Sequence, residues 1–120
     1  MGVVAVDNVD LNALLTKWRW LVPADVDVHI KYGDCDGAFA DCQCVLELNR
    51  LFIRVSPVDY MPENHAEFGL ERDIEADIVH ELVHWRMEAF KPEDDGASYR
   101  LWEAAVERTA QDLIRLDRGE

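Results

Sequence analysis

Apolar residues recur along the chain with two different periods, and the switches between them divide it into elements. Leu11, Leu14, Leu15, Trp18 and Leu21 recur at helical spacing and predict a first helix over 8–21. Asp7, Asn8 or Asp10 can cap it, and Pro23 follows its end. Residues 26–32, VDVHIKY, alternate with period two and predict a strand. GDCDG is a turn cluster, AFADCQCVLEL at 38–48 predicts a second strand, and Asn49-Arg50 makes a tight connection to a third, LFIRV, at 51–55. Pro57 and Pro62 mark 56–68 as a loop.

The helical period returns over 69–90, carried by Ile74, Ile78, Val79, Leu82, Val83 and Ala89. Glu71, Asp73 and Glu75 near its start suit the positive end of a helix dipole, and Lys91-Pro92 stops it. After the polar KPEDDGA connection, a last helix is predicted over 98–116, with Trp102, Val106, Thr109, Leu113 and Leu116 at core spacing. Helix, three strands, helix, helix is the order of an α+β domain with a small antiparallel or mixed sheet. The 120 residues show no repeat or linker, so one domain over 1–120 is expected.

Charge narrows the function classes. Twelve Lys and Arg stand against 25 Asp and Glu, a net charge of −13. That argues against direct nucleic-acid binding, which needs a basic surface to displace phosphate counterions, and against docking on an anionic membrane. No apolar run approaches the ~18 residues a membrane-spanning helix needs. MGVVAVDNVD has no basic region and no long apolar stretch, so no secretory signal is expected.

Cys35, Cys42 and Cys44 are odd in number and bunched, a poor disulfide framework. Cys42 and Cys44 point to one face of a strand, where a bridge between them would be strained. Cys35, Cys42, Cys44 and His29 offer four metal donors, but their spacing fits no common zinc pattern; half-buried thiols on a strand are the simpler expectation. Reduced thiols agree with a cytoplasmic setting.

The chemistry lies at 80–84, His80-Glu81-Leu82-Val83-His84, an H-E-x-x-H run inside a helical segment. Residues four apart on a helix are stacked neighbours, so both imidazoles can reach one ion. Glu81 sits about 100° around the helix from His80, where its carboxylate can meet a metal-activated water rather than the metal. Chance would produce such a run in roughly 1% of chains of this composition. Two histidines on a solvated face, with an unrelated Glu between them, is the bland alternative.

A catalytic zinc wants three protein ligands and an open fourth position. Glu88 lies too far along the axis, about 12 Å from His80. His65 in the preceding loop is a candidate. Glu103 is the better one, because it falls early in the next helix, across a short connection that lets the two helices pack antiparallel. Glu107, one turn on, can accept a hydrogen bond from a ligating imidazole and fix its orientation. Pairing with Arg100 or Arg108 is the structural alternative for both glutamates. Trp85, directly after the second His, and Asp77, one turn before the first, are further candidates for the pocket, but core packing for Trp85 and a solvated face for Asp77 are the simpler expectations.

HELVH at 80–84, Glu103 in WEAAVERTA and Glu107 one turn later together resemble the gluzincin class of zincin metallopeptidases. The pattern there is HExxH followed on a downstream helix by Glu-x-x-x-Asp, so Glu107 stands where the pattern has Asp. EAAVERTA is also similar to the downstream helix of small IrrE-like and phage-encoded zincin domains. The resemblance covers about 70–116. It implies a minimal zincin-like fold and one Zn2+ held by His80, His84 and Glu103. It also implies Glu81 as general base and a peptide or protein substrate laid along an edge strand. An oxyanion-stabilising His or Tyr is implied as well, for which His65, Tyr60 and Tyr99 are candidates. Two other classes compete: a non-catalytic module that keeps a metal for structure, and an acidic mimic of nucleic acid.

Overall fold

Period-two alternation places Leu51, Ile53 and Val55 on one face of a strand, and all three are almost fully buried. That strand is the middle of a three-stranded sheet. The structure, a computed structural model, describes residues 9–120. Its elements are α1 (Leu11–Trp18), β1 (Asp27–Tyr32), β2 (Ala40–Val45), β3 (Arg50–Val55), α2 (Glu63–Glu67), α3 (Ile74–Met87) and α4 (Ala97–Arg118). Asp7 and Asn8, two of the possible caps, lie outside the described residues with the rest of the N-terminal segment. Asp10 caps α1, its Oδ1 accepting the Ala13 amide at 3.1 Å.

The sheet order is β1-β3-β2, with β1 parallel and β2 antiparallel to β3. The fold is therefore α+β with a mixed sheet. Register aligns Val28 and Cys44 with Leu51, and Ile30 and Cys42 with Ile53, so one face is apolar. The other face carries His29, Lys31, Phe52 and Arg54, with His29 stacked on Phe52 at 5.2 Å and Arg54 forked onto Asp41 at 2.7 and 3.1 Å. Helix α3 lies against β2 and β3, α1 against β1 and α3, and α4 along α3.

Several boundaries differ from the sequence expectation, and three of the differences have a local reason. The second strand stops at Val45. Leu46–Leu48 form a turn of 3-10 helix, and Asn49 takes a left-handed conformation (φ 56°), which lets the chain reverse into β3. The Asn49 amide group donates to the Asp25 carbonyl and carboxylate at 3.1 and 3.0 Å, which fixes that corner. The loop after β3 contains the five-residue α2. Helix α3 begins at Ile74 rather than 69, because Asp73 is its N-cap and accepts the Ala76 amide at 3.1 Å.

On α4 the buried stripe is Trp102, Val106, Ala110 and Ile114. Thr109 is exposed and its hydroxyl donates to the Ala105 carbonyl, while Leu116 is 76% exposed. The buried row advances by four, the ridge that packs against α3. Trp18 is buried and Trp20 is exposed. Among the described residues, no helix is long and apolar enough to cross a membrane.

Asp73 also receives Arg118 from the far end of α4 through two bonds, at 2.7 and 3.0 Å, tying the start of α3 to the end of α4. The Arg118 guanidinium holds the Asp73 carboxyl below its ordinary range. Replacing Asp73 by Ala removes cap and pair together and should cost about 1–2 kcal/mol in urea denaturation. A lowered carboxylate stabilises the fold above its unfolded pKa of about 3.9, and that contribution is lost as pH falls through the lower folded value. The gap between parent and variant should therefore close in strong acid; a gap that stays constant would refute the role of the pair.

Candidate metal centre

Helix α3 is buried on most sides by Ile74, Ala76, Ile78, Val79, Leu82 and Val83. Its remaining central positions, His80, Glu81 and His84, face a cleft between β2 and the neighbouring ends of α3 and α4. The cleft, about 400 Å3, is walled by Cys42 and Cys44 on one side and by Tyr99, Trp102 and Glu103 on the other. The ligating atoms of His80, Glu81 and His84 lie within 4.8 Å of one another, and no other such group of His, Cys, Asp or Glu exists among the described residues. A larger depression, about 770 Å3, lies on the opposite face of the sheet beside His29 and Phe52 and gathers no such group.

Helix α4 runs antiparallel to α3, so four residues back on one matches four residues forward on the other. His84 Nε2 meets Glu103 Oε1 at 3.0 Å, and His80 Nε2 lies 3.8 Å from Glu103 Oε2. One turn on, His80 Nδ1 donates to Glu107 Oε2 at 2.5 Å, and Gln111 Nε2 donates to Glu107 Oε1 at 2.7 Å. A neutral imidazole with its proton on Nδ1 would present its Nε2 lone pair on the side of Glu103. The two imidazole rings stand 4.9 Å apart. The Glu103 carboxylate thus reaches both rings.

Electrostatics follow from burial. Glu81 is only 6% exposed, and burial pushes its carboxyl up to about 7. His80 and a hydrogen bond with Cys42 pull it back, and Glu103 and Asp41 push it up. Burial, with lesser contributions from His80 and Lys91, pushes His84 down to about 4. Neutral imidazole is the form that ligates metal. Glu103 sets one oxygen against each ring, so it stands beside the His80–Glu81–His84 group rather than within it. Two imidazoles and a carboxylate are the donor types that suit a zinc ion with an open position. The residues present fit such an ion.

Other candidates are placed elsewhere. His65 packs edge-on against Phe39 at 4.9 Å, and the Tyr60 hydroxyl donates to the Gly37 carbonyl. Neither lines the cleft; Tyr99 does. Glu88, like Glu103, lines the cleft but is outside the donor group, and unlike Glu103 it pairs with neither imidazole. Asp77 is not on a solvated face. It pairs with the buried Arg72 at 3.3 Å, and burial pushes its carboxyl up to about 6. Arg72 also donates to the Pro57 and Tyr60 carbonyls, pinning the loop after β3. Trp85 packs toward the core, and the indole of the cleft is Trp102, 4.9 Å from the His84 ring. Its core spacing concealed that role, although its place beside Glu103 was a usable signal. Cys35 is buried, and His29 lies on the opposite sheet face from Cys42 and Cys44, so the four do not assemble. No protein-family model, curated protein or solved structure matches this chain.

The two shifts oppose each other in the metal-free protein. Between about pH 4 and 6.5 the unfolded chain protonates His84 and the fold does not, so this contribution to stability rises with pH. Glu81 stays protonated in the fold up to about 7 but ionises above about 4.3 when unfolded, so its contribution falls with pH. Glu81→Gln removes the second effect alone. The metal-free variant should gain more stability than the parent between about pH 4.5 and 6.5. Urea midpoints at the two pH values test this, and a slope no steeper than the parent's would reject it.

Proposed function

We propose that the chain is a zinc-dependent peptidase of minimal zincin type, in which His80, His84 and Glu103 hold one Zn2+. The observation that carries this reading is the Glu103 carboxylate set against both imidazoles of an H-E-x-x-H helix, with Glu107 on the far nitrogen of His80. When bound there, zinc supplies Lewis acidity toward a peptide carbonyl and toward water. The chain's own residues do the rest. Glu107 holds the His80 ring in one tautomer and orientation. Glu81, raised toward neutrality by burial, takes a proton from the attacking water and passes it to the leaving amine. Among the described residues β2 is an edge strand with no sheet neighbour on its outer side, and it forms one wall of the cleft. An extended peptide or protein segment can add there as a further strand. The acidic surface disfavours nucleic acid and anionic membranes as partners, and the free thiols suit a cytoplasmic setting.

Metal analysis of protein purified without chelator or nickel resin is the first test. About one zinc per chain is expected, with affinity lost or much weakened in Glu103→Ala. Absence of zinc, even after its addition, would overturn the reading. A peptide-library assay on the loaded protein should then show hydrolysis that Glu81→Gln abolishes with zinc retained. Zinc bound at the parent level without hydrolysis of any peptide would favour the non-catalytic metal-binding module.

A further inference from the structure

Two sulfur donors face the same cleft and have no part in the proposed zinc set. Cys42 and Cys44 stand two apart on β2 and pair with Ile53 and Leu51, whose side chains lie on the buried face. Both thiols therefore point inward toward α3. Both line the cleft, both are free, and neither is fully buried, so a small ion can reach them. Cys42 lies close enough to Glu81 for the two to influence each other electrostatically. The two Cα atoms are about 6.6 Å apart on an extended strand, near the upper limit for a disulfide. An ion relaxes that constraint, because two metal–sulfur bonds of about 2.3 Å or longer let sulfurs roughly 4 Å apart share it.

We propose that Cys42 and Cys44 form a second, sulfur-donor site that takes a soft divalent cation of the cadmium type. Each thiol releases its proton to solvent as the ion binds, giving two metal–thiolate bonds, and water completes the shell. Soft thiolates select such ions over the harder imidazole and carboxylate set across the cleft. An ion held there lies against Glu81 and blocks the β2 wall, so it inhibits whatever chemistry the cleft performs. The site stands whether or not the zinc reading does.

Cadmium titration of the reduced, metal-free protein, followed by the ultraviolet cadmium–thiolate charge-transfer band, tests it. The band should grow to a stoichiometric end point, persist in His80→Gln/His84→Gln and in Cys35→Ser, and vanish in Cys42→Ser/Cys44→Ser. Serine is nearly isosteric with cysteine, and circular dichroism confirms that each variant is folded. No band in the parent, a band that survives loss of both cysteines, or a band that needs the histidines would overturn the proposal. Failure of zinc to bind, with the band intact, would instead count against the function proposed above.

Discussion

The burial of α3 is the constraint on which the rest of the structure depends. This helix lies between the sheet and α4, and most of its circumference is apolar and covered. A helix so enclosed has little water for its polar groups, and each polar group that enters must be matched by a neighbour. Glu81 enters with a raised carboxyl pKa and the Cys42 thiol beside it. His84 enters neutral, against Glu103 and the Trp102 indole. Asp77 enters with Arg72, which in turn ties down the loop after β3. The polar architecture of the molecule is a set of answers to one packing decision.

Antiparallel register converts that packing into a site. Once Trp102, Val106, Ala110 and Ile114 seat α4 on α3, the adjacent row of α4 is Tyr99, Glu103, Glu107 and Gln111. Glu103 comes level with His84 and Glu107 with His80, without any further adjustment. The Asp73–Arg118 fork at the far end of the pair resists sliding of one helix past the other. A shift of one turn would set Glu107 against His84 and leave His80 without a carboxylate. Stability and site geometry are therefore the same property of this helix pair.

Much of this was legible in the chain, and the misses have physical causes. H-E-x-x-H, Glu103 and Glu107 are local patterns on two helices joined by a short loop, and such patterns carry their geometry with them. Period two indicated which face of each strand is buried but not which strand is its neighbour. The parallel pairing of β1 with β3 depends on a seven-residue connection that crosses to the far edge, passing through left-handed Asp36 and Gly37. The α4 stripe was displaced toward Leu113 and Leu116 because hydrophobicity favours leucine over alanine. Close helix packing favours the smaller residue, and Ala110 is buried while Leu116 is not. Asp77 read as solvated because its partner, Arg72, lies outside helix α3 and joins it only through the tertiary fold.

The balance of charge in the cleft bears on what it is built to hold. Asp41, Glu81, Glu88 and Glu103 line it, Glu107 backs it, and Lys91 is the one lysine or arginine among the lining residues. His84 supplies no positive charge, because burial holds it neutral. Carboxylates gathered in a partly desolvated space repel one another, and here part of the repulsion is relieved by protonating Glu81. A divalent cation would relieve it further, releasing Glu81 to its ionised form and supplying the counter-charge that Lys91 alone cannot. The same field attracts cations of any kind, so under the two proposals above selectivity between them would come from donor type rather than charge: nitrogen and oxygen on the α3–α4 wall, sulfur on the β2 wall. On those proposals an ion would be sorted by which wall it prefers, and Glu81, which lines the cleft beside Cys42, would be affected by either choice.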